Sequence, residues 1–200
     1  DIVVGPALYL CSDETAARIA DAADAGAQVL VTAFSGIADE DDHVRLGGYP
    51  GAFRELLGVR VEEFFPLADG ETLTLDDETV GEIWSEYLTT TEDVDVLARH
   101  TQGHLRGVPA LTKRTVATGA AWYAATVPDA AGWATLADKL CAAAGIDTRR
   151  DLGSDVEIVR RSAGEQSWLF VLNHGTDKVS VPASGTDLVG GAQIDGELIL

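Results

Sequence analysis

The order of apolar and polar positions divides the chain into three stretches. Residues 2–4 are a β-branched run closed by Gly5-Pro6, which predicts a buried strand. Ser12 or Asp13 caps a helix in which Ala16, Ile19, Ala20 and Ala23 recur at helical spacing until Gly26 stops it. Residues 28–33 (QVLVTA) form a second buried strand. Strand, helix and strand within so short a span make a βαβ unit, and a parallel sheet with helices on its faces follows.

Residues 34–46 (FSGIADEDDHVRL) read as polar loop, and 50–57 as a short helix with proline in its first turn. From 59 to 126 the pattern is strand and turn: 59–65, 72–75, 79–88, 94–99, 110–113 and 120–126. Asp129 then caps the clearest helix, where Trp133, Leu136, Ala137, Leu140, Cys141 and Ala144 form one apolar stripe ending at Gly145. The polar stretch 148–153 breaks this rhythm, so a domain boundary is placed near residue 150. Beyond it only strands are expected, at 156–160, 167–172, 179–181, 187–189 and 197–200, with Asn173-His174-Gly175 as a hairpin turn. So small an antiparallel sheet should lean on a larger neighbour.

Length and charge narrow the function. The 200 residues suffice for one α/β domain and a small appendage, with a core that needs no disulfides. Asp and Glu number 33 against 14 Lys and Arg, a formal charge of −19. Such a surface repels phosphate backbones and anionic lipid, so nucleic-acid and membrane-surface roles are excluded. The charge is spread in proportion to length: residues 1–150 hold 25 acids and 11 bases, residues 151–200 hold 8 and 3. An even, lysine-poor acidity suggests adaptation to high salt or an acidic proteome. Cys11 and Cys141 lie far apart and outside any CxxC spacing, Cys141 on a helical stripe that favours a buried thiol. Nothing demands an oxidising compartment, and a cytoplasmic setting is expected. The chain starts with Asp directly before a strand and so inside a domain, which suggests a missing N-terminus.

Candidate chemistry is sparse. Ser35 follows a strand, but the nucleophile elbow needs glycines on both sides and only Gly36 is present. A turn residue bonding its own backbone is the simpler reading. Cys11 likewise lacks flanking glycines. Asp39, Glu40, Asp41, Asp42 and His43 cluster without the register of an EF-hand loop. They read instead as a solvated or interface loop whose carboxylates cap nearby N–H groups. Glu62 and Glu63 are adjacent on a strand and point to opposite faces, so they are not a glycosidase pair. No phosphate loop is present. Trp122 and Trp133 suit a core, while Trp84 and Trp168 are the tryptophans available for stacking on sugar. No catalytic, cofactor or metal residue is assigned.

Several segments together resemble the C-terminal part of glycoside hydrolase family 42 β-galactosidases. They are Pro6-Ala7-Leu8-Tyr9-Leu10, the run from Phe34 through His43, Leu46-Gly47-Gly48-Tyr49-Pro50-Gly51 and the run from Leu56 to Phe64. Ala121-Trp122-Tyr123-Ala124-Ala125-Thr126, the run from Val156 to Arg161 and Phe170-Val171-Leu172-Asn173-His174 complete the match. The sequence departs from the pattern at 114–120 (RTVATGA), where the family has a basic, glycine-containing turn. The resemblance implies a flavodoxin-like or class I amidotransferase-like α/β domain over 1–148, lacking its first strand and helix. A small antiparallel β domain over 151–200 would follow. It also implies a non-catalytic role: the family's two catalytic glutamates lie on an N-terminal TIM barrel. The implied partners are other copies of the chain in a homotrimer and that barrel, with β-galactosides met only through the barrel. Phe34, Ser35, Asp41, His43 and Tyr49, in the most family-specific loop, are the candidates for interface contact. Two other readings stay open: an amidotransferase-like hydrolase using Cys11 or Ser35, and a carbohydrate-binding module using Trp84 or Trp168.

Overall fold

The computed structural model describes residues 1–148 and 152–200. It divides into two units, Asp1–Ile146 and Asp147–Leu200. The first contains β1 (Ile2–Gly5), α1 (Asp13–Asp24), β2 (Gln28–Thr32), α2 (Arg54–Leu57), β3 (Val59–Pro66), β4 (Thr72–Thr74) and β5 (Val80–Thr90). It continues with β6 (Val94–Arg99), β7 (Pro109–Val116), β8 (Gly119–Ala124), β9 (Thr126–Pro128) and α3 (Ala130–Ala143).

The main sheet has the order β1-β2-β8-β7-β6. β1 pairs β2 and β2 pairs β8 in parallel, but β7 runs antiparallel to both β8 and β6. The expected parallel sheet is therefore mixed. A period-two pattern fixes which face a residue takes and not the direction of its strand. Both faces are covered. On one, Val29, Val31, Ala121 and Tyr123 join Ala23 of α1 and the buried Phe53, Leu57 and Val59. On the other, Leu30, Trp122 and Ala124 meet Leu136 and Leu140 of α3. Ser12 caps α1 through Thr15 N–H, and Asp129 caps α3 through Gly132 N–H. Of the α3 stripe, Ala137 is exposed and Cys141 only half-buried, so the fully buried thiol is that of Cys11. A second sheet runs β3-β5-β4, with β9 also on β5. The expected short helix before β3 shrinks to the single turn of α2.

The second unit holds β10 (Val156–Ala163), β11 (Gln166–Asn173), β12 (Ser180–Thr186) and β13 (Gln193–Ile199). They form two antiparallel hairpins, β10-β11 and β12-β13. The first turns at Gly164-Glu165; Asn173-His174-Gly175, expected as a hairpin turn, instead leads from the end of β11 toward β12, which pairs with β13 and not with β11. Residues 187–189, expected as a strand, begin the turn between β12 and β13. There Asp187 accepts the N–H groups of Val189 and Gly190, so a polar side chain overrides the apolar Leu188-Val189 pair. Of the polar stretch at 148–153, residues 149–151 lie outside the described residues. Among the described residues no helix is long and apolar enough to cross a membrane.

Candidate functional site

The loops after β1 and β2 lie at the carboxyl ends of parallel strands, where open α/β sheets place their sites. They are laced together. Ala7 N–H donates to Thr32 Oγ1 at 2.8 Å and Leu8 N–H to Ser35 Oγ at 2.9 Å. Gly36 N–H returns to the Leu8 carbonyl at 2.8 Å, and Cys11 N–H reaches Ala38 at 3.0 Å. Gly36 has φ +61°, and a Cβ there would meet Phe53 at 2.9 Å, so both backbone and space demand glycine.

This lacing presents a shelf of aromatic rings. Phe34 stacks on Tyr9 at 5.5 Å between centroids and meets the Trp84 ring edge-on at 4.9 Å. Phe64 lies 5.2 Å from Trp84 and stacks on Tyr49 at 5.1 Å. Such pairs add about 0.5–1.5 kcal/mol each beyond area burial. Phe34 keeps 36% of its surface exposed, and the other four rings are half-buried.

Beneath the shelf is Glu86 of β5, 1% exposed and the one buried acid among the described residues. Its Oε2 accepts the Tyr123 hydroxyl at 2.5 Å. Its Oε1 accepts Phe34 N–H at 3.0 Å and the Trp84 indole N–H at 3.3 Å. Burial pushes the Glu86 carboxyl above its ordinary range, against the pull of these three donors. Burial and the adjacent Glu86 hold the Tyr123 phenol well above its ordinary value. Phe34 sits at φ 65°, a left-handed conformation costly for an aromatic residue, and the Glu86 bond holds its N–H there. The carboxylate is thus a strut: it ties two rings of the shelf to the sheet through Tyr123 of β8.

The other candidates take distinct places. Ser35 is buried, and its hydroxyl ties the Leu8 amide. Cys11 is buried, its thiol raised first by desolvation and lowered in part by Arg45. Among the described residues neither Ser35 nor Cys11 is hydrogen-bonded to an imidazole. In the acidic loop, Asp39 Oδ1 accepts the N–H groups of Asp41 at 3.0 Å and His43 at 2.9 Å. Its Oδ2 lies 3.3 Å from His43 Nδ1. Asp39 is held below its ordinary carboxyl value, chiefly by the His43 backbone bond. Asp41 and His43 are exposed, and among the described residues no cluster of metal-binding type forms. A β-bulge interrupts the alternation at Glu62-Glu63, and both are exposed. Trp122 is buried with its indole N–H on Gln28 at 2.9 Å, whereas Trp133 and Trp168 are half-buried.

Sequence reasoning missed Glu86. The signal was available: Trp84, Glu86 and Leu88 share one strand face, and Trp84 and Leu88 are apolar.

The family model for the β-galactosidase trimerisation domain matches residues 1–147, and that for the β-galactosidase C-terminal domain matches 155–200. A β-galactosidase of Arthrobacter is 52% identical over 98% of this chain and 28% of its own length. The β-galactosidase BgaA of Planococcus is 33% identical over 100% of this chain and 31% of its own. The crystal structure of a β-galactosidase from Bacillus circulans superposes with a TM-score of 0.89 at 29% identity, over 100% of this chain and 31% of that one. The chain spans less than a third of the length of these relatives. It belongs to the glycoside hydrolase family 42 β-galactosidases, of which it carries the trimerisation and C-terminal domains.

Proposed function

We propose that this chain is a non-catalytic association and support region of a β-galactosidase. The observation that carries the reading is the shelf: a partly exposed aromatic patch fixed from below by a carboxylate whose two oxygens already hold three donors. A patch so fixed suits docking, because little side-chain freedom is lost on contact. Phe34 and Tyr49 offer ring surface to a partner, Asp41 and His43 offer polar contacts beside it, and Ser35 sustains the loop from beneath.

In the intact enzyme the partners are two further copies in a homotrimer and a TIM barrel. The barrel would hydrolyse terminal β-D-galactosides with retention, through two glutamates of its own. The parallel β1-β2-β8 core with helices on both faces supports a flavodoxin-like or amidotransferase-like origin for residues 1–148, kept for packing. Residues 151–200 form the second domain of this reading. Two free cysteines support a cytoplasmic setting. The test is to incubate the pure chain with nitrophenyl β-galactoside and to sediment it. No hydrolysis and a mass above the monomer are expected; stoichiometric turnover by the chain would overturn the reading.

A further inference from the structure

In a chain so rich in acid, three arginines share one hollow. Arg54, Arg60 and Arg114 line an open cavity of about 500 Å³ together with the threonines at 89–91; Glu55 is also on its wall. Each guanidinium is held from behind. Arg54 Nη1 donates to the Gly47 and Gly48 carbonyls. Arg114 Nη1 donates to the Glu55 and Leu56 carbonyls, and its Nε to Asp93 at 2.7 Å. Arg60 Nε lies 3.3 Å from Glu62. Among the described residues the Nη2 groups of Arg54 and Arg114 and both Nη groups of Arg60 have no acceptor. These are oriented donors suited to carboxylates.

The complementary group lies on the same chain. Residues 39–42 are four consecutive acids. Glu40, Asp41 and Asp42 are exposed and, among the described residues, none is paired with a cation. Asp39 fixes their loop by accepting two of its backbone N–H groups. In a closed three-fold assembly each contact joins two different patches, so an acidic loop need not face its own copy. Chains of charge −19 repel one another, and contact is favoured where free guanidinium donors on one meet carboxylates that hold no cation on the next.

Resting on the self-association reading above, we propose that the arginine hollow receives the carboxylates of residues 40–42 from a second copy of this chain. The experiment is sedimentation equilibrium of the chain as wild type, Arg60→Glu, Asp41→Lys and the double variant. Arg60 is 55% exposed and Asp41 is exposed, so both reversals keep the fold, which circular dichroism and the melting temperature check. Each single reversal is expected to weaken self-association by roughly tenfold or more, and the double variant to recover most of that loss. Self-association unchanged in both single variants, or a double variant as weak as the two losses combined, overturns the proposal alone. A wild-type chain that stays monomeric at every concentration overturns the self-association reading and this proposal with it.

Discussion

The two units treat apolar surface in opposite ways. In Asp1–Ile146 the main sheet is covered on both faces, and five aromatic rings pack into one shelf over Glu86. In Asp147–Leu200 the hairpin β10-β11 is apolar on both faces: Trp168, Phe170 and Leu172 alternate with Leu169 and Val171. Phe170 is 52% exposed, and Val181 is the one fully buried apolar side chain among that unit's described residues. The first unit also buries polar groups with specific partners, as Glu86 and Ser35 show. Buried polar networks of this kind select one arrangement of the surface above them. The second unit rests mainly on hairpin hydrogen bonds, and isolated hairpins are marginally stable. The first unit thus presents a fixed surface and the second a yielding one.

Hydrogen exchange measures this contrast at its largest. Amides of β2 and β8 should exchange only through global unfolding, and those of β10 to β13 through smaller openings, about a hundredfold faster or more. Equal protection in β8 and β12 would break the comparison. Next in size is the strut. Glu86→Ala leaves the Tyr123 hydroxyl, the Trp84 indole and the Phe34 amide without their acceptor. The Tyr123 bond is buried and the other two are partly exposed, so at about 1–3 kcal/mol for a buried unsatisfied group denaturant unfolding should show a loss of about 2–3 kcal/mol. Phe170→Ala in the second unit should cost less than about 1 kcal/mol. Similar losses for the two would place the rigidity elsewhere.

A smaller effect lies in pH. His100 is buried with Nε2 3.1 Å from Ser85 Oγ, and burial lowers its pKa from 6.5 to about 4. Between these values the unfolded chain binds a proton that the native chain refuses, so stability falls as pH drops from 6.5 to about 4. Glu86 acts with the opposite sign. From the ordinary 4.5 up to its raised folded value the native state keeps a proton that the unfolded chain has lost, so stability falls as pH rises. His100→Gln should flatten the acid-side fall, and Glu86→Gln the opposing one. Unfolding free energies measured across this range check both signs. An acid-side fall as steep in His100→Gln as in wild type would remove His100 from the account.

Much of the fold is legible in the sequence where periodicity is strong. The elements β1-α1-β2 and α3 follow from apolar spacing and from the caps Ser12 and Asp129. The direction of β7 is not legible, because alternation is the same in parallel and antiparallel strands. The turn at 187–189 misleads because Leu188 and Val189, at 76% and 100% exposure, are apolar residues placed by Asp187. The site is half legible. Phe34 and Tyr49 stand in a conspicuous loop, whereas Phe64, Trp84 and Glu86 reach it from the second sheet. At Ile83, φ 63° and a register shift in β5 interrupt the alternation before Trp84, so the face shared by Trp84, Glu86 and Leu88 does not continue to the start of the strand.

Association runs, on the proposed function, through the fixed surface of the first unit. Both units expose a phenylalanine, Phe34 at 36% and Phe170 at 52%. Sedimentation equilibrium of Phe34→Ser beside Phe170→Ser separates them directly. Phe34→Ser should weaken self-association and Phe170→Ser leave it as in wild type; loss with Phe170→Ser and none with Phe34→Ser would place association on the second unit instead.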